Sequence, residues 1–394
     1  MKANKITATI CLFAALTIAT ITGIKFKSLS TVPEITPGKG VTEIKKLSDY
    51  FEGIKGSAGD TPIYVMKGQE DGGKLLVLGG THPNEPSGHL SAVLFIQNAK
   101  VKKGTVYVLP YTNRSGFTHN DTQEGSPHDM HFMTKNGEEV IYRYGSRATN
   151  PIHQWPDPDV YIHATSGQRL SGSEMRNINR AYPGKDNGTF TEKVAYAITE
   201  MVKKEDINLT FDLHEASPEY PVINATVSHE KGMNVAAPGI IALQLNGIEM
   251  SLEPSPKNLH GLTHRELGDF TDTIPILMET ANASQGRLRG ATSEEQVLTG
   301  KDKFYTRANE LDMTYVPYNA KGHPIEERVG RHLQGIIEYT NSYNKNYPDK
   351  SIEFENCPNY KELFLDSKEA DLGGKNLGKF MIKWNEGRYY KADN

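Results

Sequence analysis

The sequence predicts an α/β fold with a mixed, mostly parallel central sheet and helices on both faces. Three observations predict it. Short apolar runs at 74–78, 105–109 and 209–213 have the composition of strands buried on both sides. Segments with helical spacing of apolar side chains lie between the runs, an alternation that builds sheets covered on both faces. Polar residues of metal-ligating type follow two of the runs directly, at the strand ends where open α/β sheets bind ligands.

Taken in order, the chain begins with Lys2 and Lys5, then an uncharged apolar stretch at 6–24, then Lys25 and Lys27. The stretch is longer than a usual signal-peptide core and just long enough to span a bilayer. Residues 1–27 therefore read equally as a cleaved signal or a retained membrane anchor. Lysines flank both ends, so the charge rule for orientation does not choose a side. Residues 28–60, with Pro33, Pro37 and several glycines, read as a polar linker or lead-in. A catalytic domain is expected over 61–347. Its strands are placed at 62–66, 74–78, 105–109, 209–213, 222–227 and 274–278. Its helices are placed at 87–98, where Leu90, Val93, Leu94 and Phe95 share a face, at 191–204, and at 238–250 and 325–339. Residues 112–188 have no periodicity but carry many aromatics, including Phe117, Tyr142, Tyr144, Trp155 and Tyr161. A long irregular segment of that composition fits a pocket wall or lid better than disorder. Residues 348–394 read as a small C-terminal appendage.

Composition bounds the function. With 37% hydrophobic and 23% charged residues, the chain has material for a globular core. A net charge of −4 gives no nucleic-acid footprint. Cys11 lies in the apolar stretch, and Cys357 is the only other cysteine, so no intrachain disulfide forms beyond the leader. That scarcity of thiols fits an exported or membrane-anchored, extracytoplasmic protein.

His82 and Glu85 follow the 74–78 run, after Gly79 and Gly80, which allow a tight turn. His214 ends the 209–213 run. Two imidazoles and one carboxylate are the ligand set of a catalytic zinc with an open fourth position. His82, Glu85 and His214 are therefore the expected metal ligands, for one Zn2+ per chain. A zinc histidine usually donates its second ring N–H to an oxygen acceptor. Asp212, on the same strand face as His214, is one such partner.

Five ordered motifs between 74 and 282 carry a resemblance. Gly79-Gly-Thr-His-Pro-Asn-Glu-Pro-Ser-Gly88 resembles the first zinc motif of the succinylglutamate desuccinylase/aspartoacylase family, within the zinc carboxypeptidase clan. Pro83 stands where that family usually has glycine. Asn113-Arg-Ser-Gly-Phe117 resembles a turn of the clan. Asn177-Ile-Asn179-Arg180-Ala-Tyr-Pro-Gly184 resembles the motif that binds substrate carboxylate, with Tyr182 in place of the usual Phe. Asp212-Leu-His214 resembles the third-ligand motif, and Ile276-Leu-Met-Glu279 the strand that ends in the catalytic glutamate. The resemblance implies a zinc carboxypeptidase-like fold and hydrolysis of an amide bond beside a free carboxylate.

On that reading Glu279 is the general base, passing a proton from water to the leaving nitrogen. Glu215 is the competitor, but if the strand runs through His214, adjacent residues face opposite sides and Glu215 points away. Asn179 and Arg180 are expected to bind the substrate carboxylate. A further arginine is needed for the oxyanion. Arg147, Arg169 and Arg176 are available, and Arg169 is favoured for its glycine-bearing loop. The substrate is then an N-acyl amino acid or, for an exported enzyme, a peptide or cell-wall peptide with a free carboxylate. A non-catalytic zinc- or ligand-binding surface protein is a second alternative, and a structural membrane-anchored protein a third.

Overall fold

Residues 2–121 and 124–383 are described by the computed structural model. In chain order the strands are β1 (Glu43–Lys46), β2 (Pro62–Lys67), β3 (Glu70–Leu78), β4 (Lys100–Leu109), β5 (Asp129–Met133), β6 (Glu139–Arg143), β7 (Val160–Ile162), β8 (Arg169–Ser171), β9 (Leu209–Ala216), β10 (Ala225–Ser228), β11 (Ser251–Pro254), β12 (Ile274–Ala281) and β13 (Glu353–Glu355). The helices are α1 (Lys2–Leu29), α2 (Pro86–Asn98), α3 (Phe190–Lys204), α4 (Met233–Leu245), α5 (Thr263–Phe270), α6 (Glu294–Thr299), α7 (Lys303–Glu310), α8 (Ile325–Asn346) and α9 (Lys375–Gly378).

The main sheet is mixed, in the order β1-β2-β4-β3-β9-β12-β10-β11, with β13 added to β4. Its four central strands, β4, β3, β9 and β12, are mutually parallel. β2 and β10 flank them antiparallel. Side chains alternate between two cores, as strand geometry requires. Leu75 and Val77 of β3 pack on one face with α2, α4 and α8. Leu76 and Leu78 pack on the other with α3 and Leu267 of α5. Helices therefore cover both faces. α2 sits close against the sheet because Gly88 has no side chain: a Cβ there would lie 2.2 Å from the Leu213 carbonyl oxygen.

Two segments pack more tightly than their composition indicates. The 28–60 segment is built into the body: β1 pairs with β2, and Val32, Ile35, Leu47 and Ile54 are buried. The C-terminal segment likewise joins the main core through Leu363, Leu377 and Met381, while 384–394 lie outside the described residues. The irregular 112–188 stretch contains two small hairpins, β5–β6 and β7–β8. The helix expected at 238–250 starts earlier, at Met233, and runs through Pro238.

Candidate metal centre

Three central strands deliver polar side chains to one edge of the sheet. After β3, Gly80 takes φ +68, and the chain turns through His82 and Glu85 into α2. Glu85 is the residue before Pro86, yet its carboxylate does not cap the helix. It turns inward instead. His214 lies within β9, which is buried along its whole length. Glu279 lies beside it on β12, in register with His214.

The expected ligands converge. Donor atoms of His82, Glu85 and His214 all lie within 4.8 Å of one another. His82 Nδ1 is 2.8 Å from Glu85 Oε1, and His214 Nδ1 is 2.9 Å from Glu85 Oε2. The two Nδ1 atoms are 3.2 Å apart. Tetrahedral zinc, with donors at about 2.0–2.1 Å, separates them by about 3.3 Å.

The second ring nitrogens are also held. His82 Nε2 lies 2.9 Å from Asn177 Oδ1, an oxygen that also accepts the Asn179 N–H. His82 therefore carries its proton on Nε2 and turns a bare Nδ1 to the cluster. Burial and the nearby Arg147 charge push its pKa down to about 4, which keeps the ring neutral. His214 Nε2 lies 2.9 Å from Asp212 Oδ2, and Thr81 Oγ1 donates to Asp212 Oδ1 at 2.6 Å. Burial opposes charge on His214, but the flanking Asp212 and Glu85 carboxylates outweigh it and raise its proton affinity well above normal. The same histidines hold the Glu85 carboxyl far below the usual range despite its burial. A bare imidazole nitrogen, a carboxylate and a second imidazole between two carboxylates form a set that draws a cation. These donors fit a zinc ion.

Glu279 stands apart from these pairings. It is partly exposed within an otherwise buried strand, and its Oε2 atom is enclosed with no hydrogen-bond partner among the described residues. Burial pushes its carboxyl up to about 8, with His214 opposing the shift and Glu85 adding to it. The Arg289 guanidinium is engaged elsewhere, with Glu124, and Arg287 gives its backbone N–H to Glu219 at 2.7 Å. Glu215 points away from the cluster into a buried ion pair with Arg328, 2.6 Å from Oε1 to Nη1.

The arginines are distributed differently from expectation. Arg169 lies exposed on β8, where its backbone pairs with Ile162, and it has no contact with the cluster. Arg176 is spent on a two-pronged bond to Asp157, at 2.7 and 2.8 Å. The arginine that reaches the cluster is Arg147, with Nη1 3.5 Å from Glu85 Oε1. Arg180 lies near it: burial and the Arg147 charge both lower the Arg180 pKa. Asn179 turns its side-chain oxygen to Thr263 at the start of α5, 2.8 Å from the backbone N, and its Nδ2 has no partner among the described residues. Sequence reasoning missed the role of Asn177, although the residue opens the Asn177-Ile-Asn179-Arg180 motif. It passed over Arg147 because an irregular loop offers no periodicity to place it.

No protein-family profile and no curated protein matches the sequence. Among solved structures, the chain is similar to tripeptide-bound Cell Shape Determinant Csd4 from Helicobacter pylori, at 15% identity and a TM-score of 0.43, covering 75% of this chain and 57% of that one. It is also similar to the product-bound ectoine utilization protein EutE (DoeB) from Ruegeria pomeroyi, at 17% identity and a TM-score of 0.35, over 58% of this chain and 55% of that one. A succinylglutamatedesuccinylase/aspartoacylase from Rhodobacter sphaeroides overlaps at 17% identity and a TM-score of 0.32, over 56% and 51% of the two chains. The chain thus spans little more than half the length of each. At these identities the reading of the site rests on its own geometry.

Proposed function

We propose that the protein is a zinc-dependent hydrolase of an amide bond adjacent to a free carboxylate, most simply an N-acyl amino acid. The observation that carries this reading is the convergence of His82, Glu85 and His214 beside an unpartnered Glu279. Bound among the first three, a zinc ion would supply Lewis acidity, easing loss of a proton from water and withdrawing charge from a carbonyl.

The protein's own groups supply the rest. Glu279, with its proton affinity raised toward neutrality, accepts the proton of the attacking water and returns it to the leaving nitrogen. Asn177 and Asp212 fix the two imidazoles in orientation. Arg147 and Arg180 repel each other when the pocket holds no anion. A substrate carboxylate, and the charge developing on the carbonyl oxygen, relieve that repulsion. The Asn179 amide adds a neutral donor beside them.

The apolar helix α1 favours a second version, in which the substrate is a peptide met outside the cytoplasm. Its window Asn4–Leu29 has mean hydropathy 1.9 and no residue buried in the protein. A panel of N-acyl amino acids and short peptides with free carboxyl ends distinguishes the versions by preference. The decisive comparison measures metal content and turnover in the parent, in chelated protein and in Glu279→Gln. The expected result is one zinc in parent and variant alike, with turnover lost on chelation and reduced at least ~100-fold in Glu279→Gln, the scale of a lost general base. Unchanged turnover in the variant overturns the base assignment.

A further inference from the structure

No slack separates α1 from the body. Arg143 of β6 donates from Nη2 to the Ser28 carbonyl at 2.5 Å and from Nε to that of Thr31 at 3.1 Å. Immediately after, the Tyr111 hydroxyl holds Pro33 O at 2.7 Å and the Tyr64 hydroxyl holds Ile35 O at 3.2 Å. Val32 and Ile35 are buried in the main core. A helix long and apolar enough to cross a membrane is thus fastened to the body within three residues of its end.

A cavity of about 830 Å³ opens beside this strap, and its walls have two chemistries. Pro33, Pro37, Ile44, Pro62 and Ile382, all at least partly exposed, give it an apolar side. Lys39, Lys46, Arg114, Lys135 and Lys383 line it as well. Among the described residues, none of these five cations has a carboxylate partner within 4.0 Å. Three carboxylates also reach the cavity, but Asp60 is occupied by the Ser48 and Gly56 backbone N–H groups, at 3.0 and 3.1 Å. Set against all three carboxylates, the five cations still leave positive charge predominant. Met133 and Ile141, exposed on the β5–β6 hairpin that borders the cavity, extend the apolar surface outward.

We propose that this cavity binds an anionic phospholipid from the leaflet that α1 leaves, with α1 retained as an anchor. The apolar wall takes the upper acyl chains, and the unpaired cations take the phosphate. The volume lies within the range of small-ligand sites. Basic side chains at an anionic bilayer surface are each worth about fivefold in binding. The proposal is independent of the hydrolase reading.

The test uses the full chain in nanodiscs holding equal phosphatidylglycerol and phosphatidylcholine, with retained lipid counted by native mass spectrometry after release. The parent is expected to retain phosphatidylglycerol in preference to phosphatidylcholine. The pair Lys39→Glu and Lys135→Glu should cut that preference at least about tenfold. A milder pair, Arg114→Gln and Lys383→Gln, covers the case in which charge reversal prevents folding and should cut it about fivefold or more. Equal retention of both lipids by the parent overturns the proposal, as does undiminished preference in a folded variant. Soluble glycerol phosphate is included as competitor. If it displaces the lipid, the site serves free anions and the lipid assignment fails.

Discussion

The chemistry proposed for the candidate metal centre depends on side chains whose second atoms are already engaged. Asp212 shows this best, because its two oxygens are divided between Thr81 Oγ1 and His214 Nε2. Replacing it with asparagine keeps the shape but removes the charge that raises the basicity of His214. Asp212→Asn is expected to bind zinc 10–100-fold more weakly, roughly the usual cost of losing such a partner, as measured by competition with a chromogenic chelator. Arg147 makes the complementary prediction, because it faces the cluster without ligating it. Arg147→Met should keep the metal and lower kcat by about 100-fold or more, the scale of one lost oxyanion donor. A fall in zinc content instead would assign Arg147 to metal retention through Glu85. His82, Glu85, His214 and Glu279 were legible in the sequence because each follows an apolar run that fixes its backbone direction. Arg147 and Asn177 were not, since their positions depend on how a long irregular segment folds back over the sheet.

Elements explain why those four residues meet. β9 and β12 are parallel neighbours, so His214 and Glu279 are adjacent by backbone register alone. Beneath them, the alternate face of β9 carries Glu215 into its buried pair with Arg328 of α8. Glu215 Oε2 also accepts the Ser87 N–H at 3.2 Å and Asn282 Nδ2 at 3.0 Å. This network ties β9 to the starts of α2 and α8. Arg328→Met leaves a carboxylate buried without its cation and is expected to cost about 3–5 kcal/mol in denaturant unfolding. Adding Glu215→Leu should restore much of that loss, because the stranded charge is gone. The central strands were predictable from apolar runs, whereas β1 and β13 were not. β1 reads Glu-Ile-Lys-Lys and is largely exposed, with a pattern no different from a polar linker. Its pairing with β2 is set by tertiary contacts of the strap that precedes it.

At the scale of the whole molecule, buried imidazoles set an acid limit on stability. His89 stacks on Tyr111 at 4.7 Å and lies 2.8 Å from Pro110 O, and burial pushes its pKa down to about 4. In the unfolded chain the same group titrates near 6.5. Below that pH the unfolded state takes up a proton that the fold refuses, so this contribution is full above 6.5 and lost as pH falls toward 4. Glu279 works in the opposite sense, because its raised carboxyl keeps a proton in the fold up to about pH 8. The two effects separate by mutation. The stability difference between parent and His89→Gln should shrink by about 1.4 kcal/mol per pH unit between 6.5 and 4.5, read from denaturant curves. A pH-independent difference would mean that His89 is reachable by solvent.

The groups proposed to hold the metal and those proposed to choose the substrate come from different kinds of chain. The first are set by strands whose neighbours leave them little freedom to drift. Arg147, Asn179 and Arg180 belong to a stretch built only of short hairpins and 3-10 turns. If the proposed function holds, remodelling that one loop region would change which acid or peptide is accepted while leaving His82, Glu85, His214 and Glu279 in place.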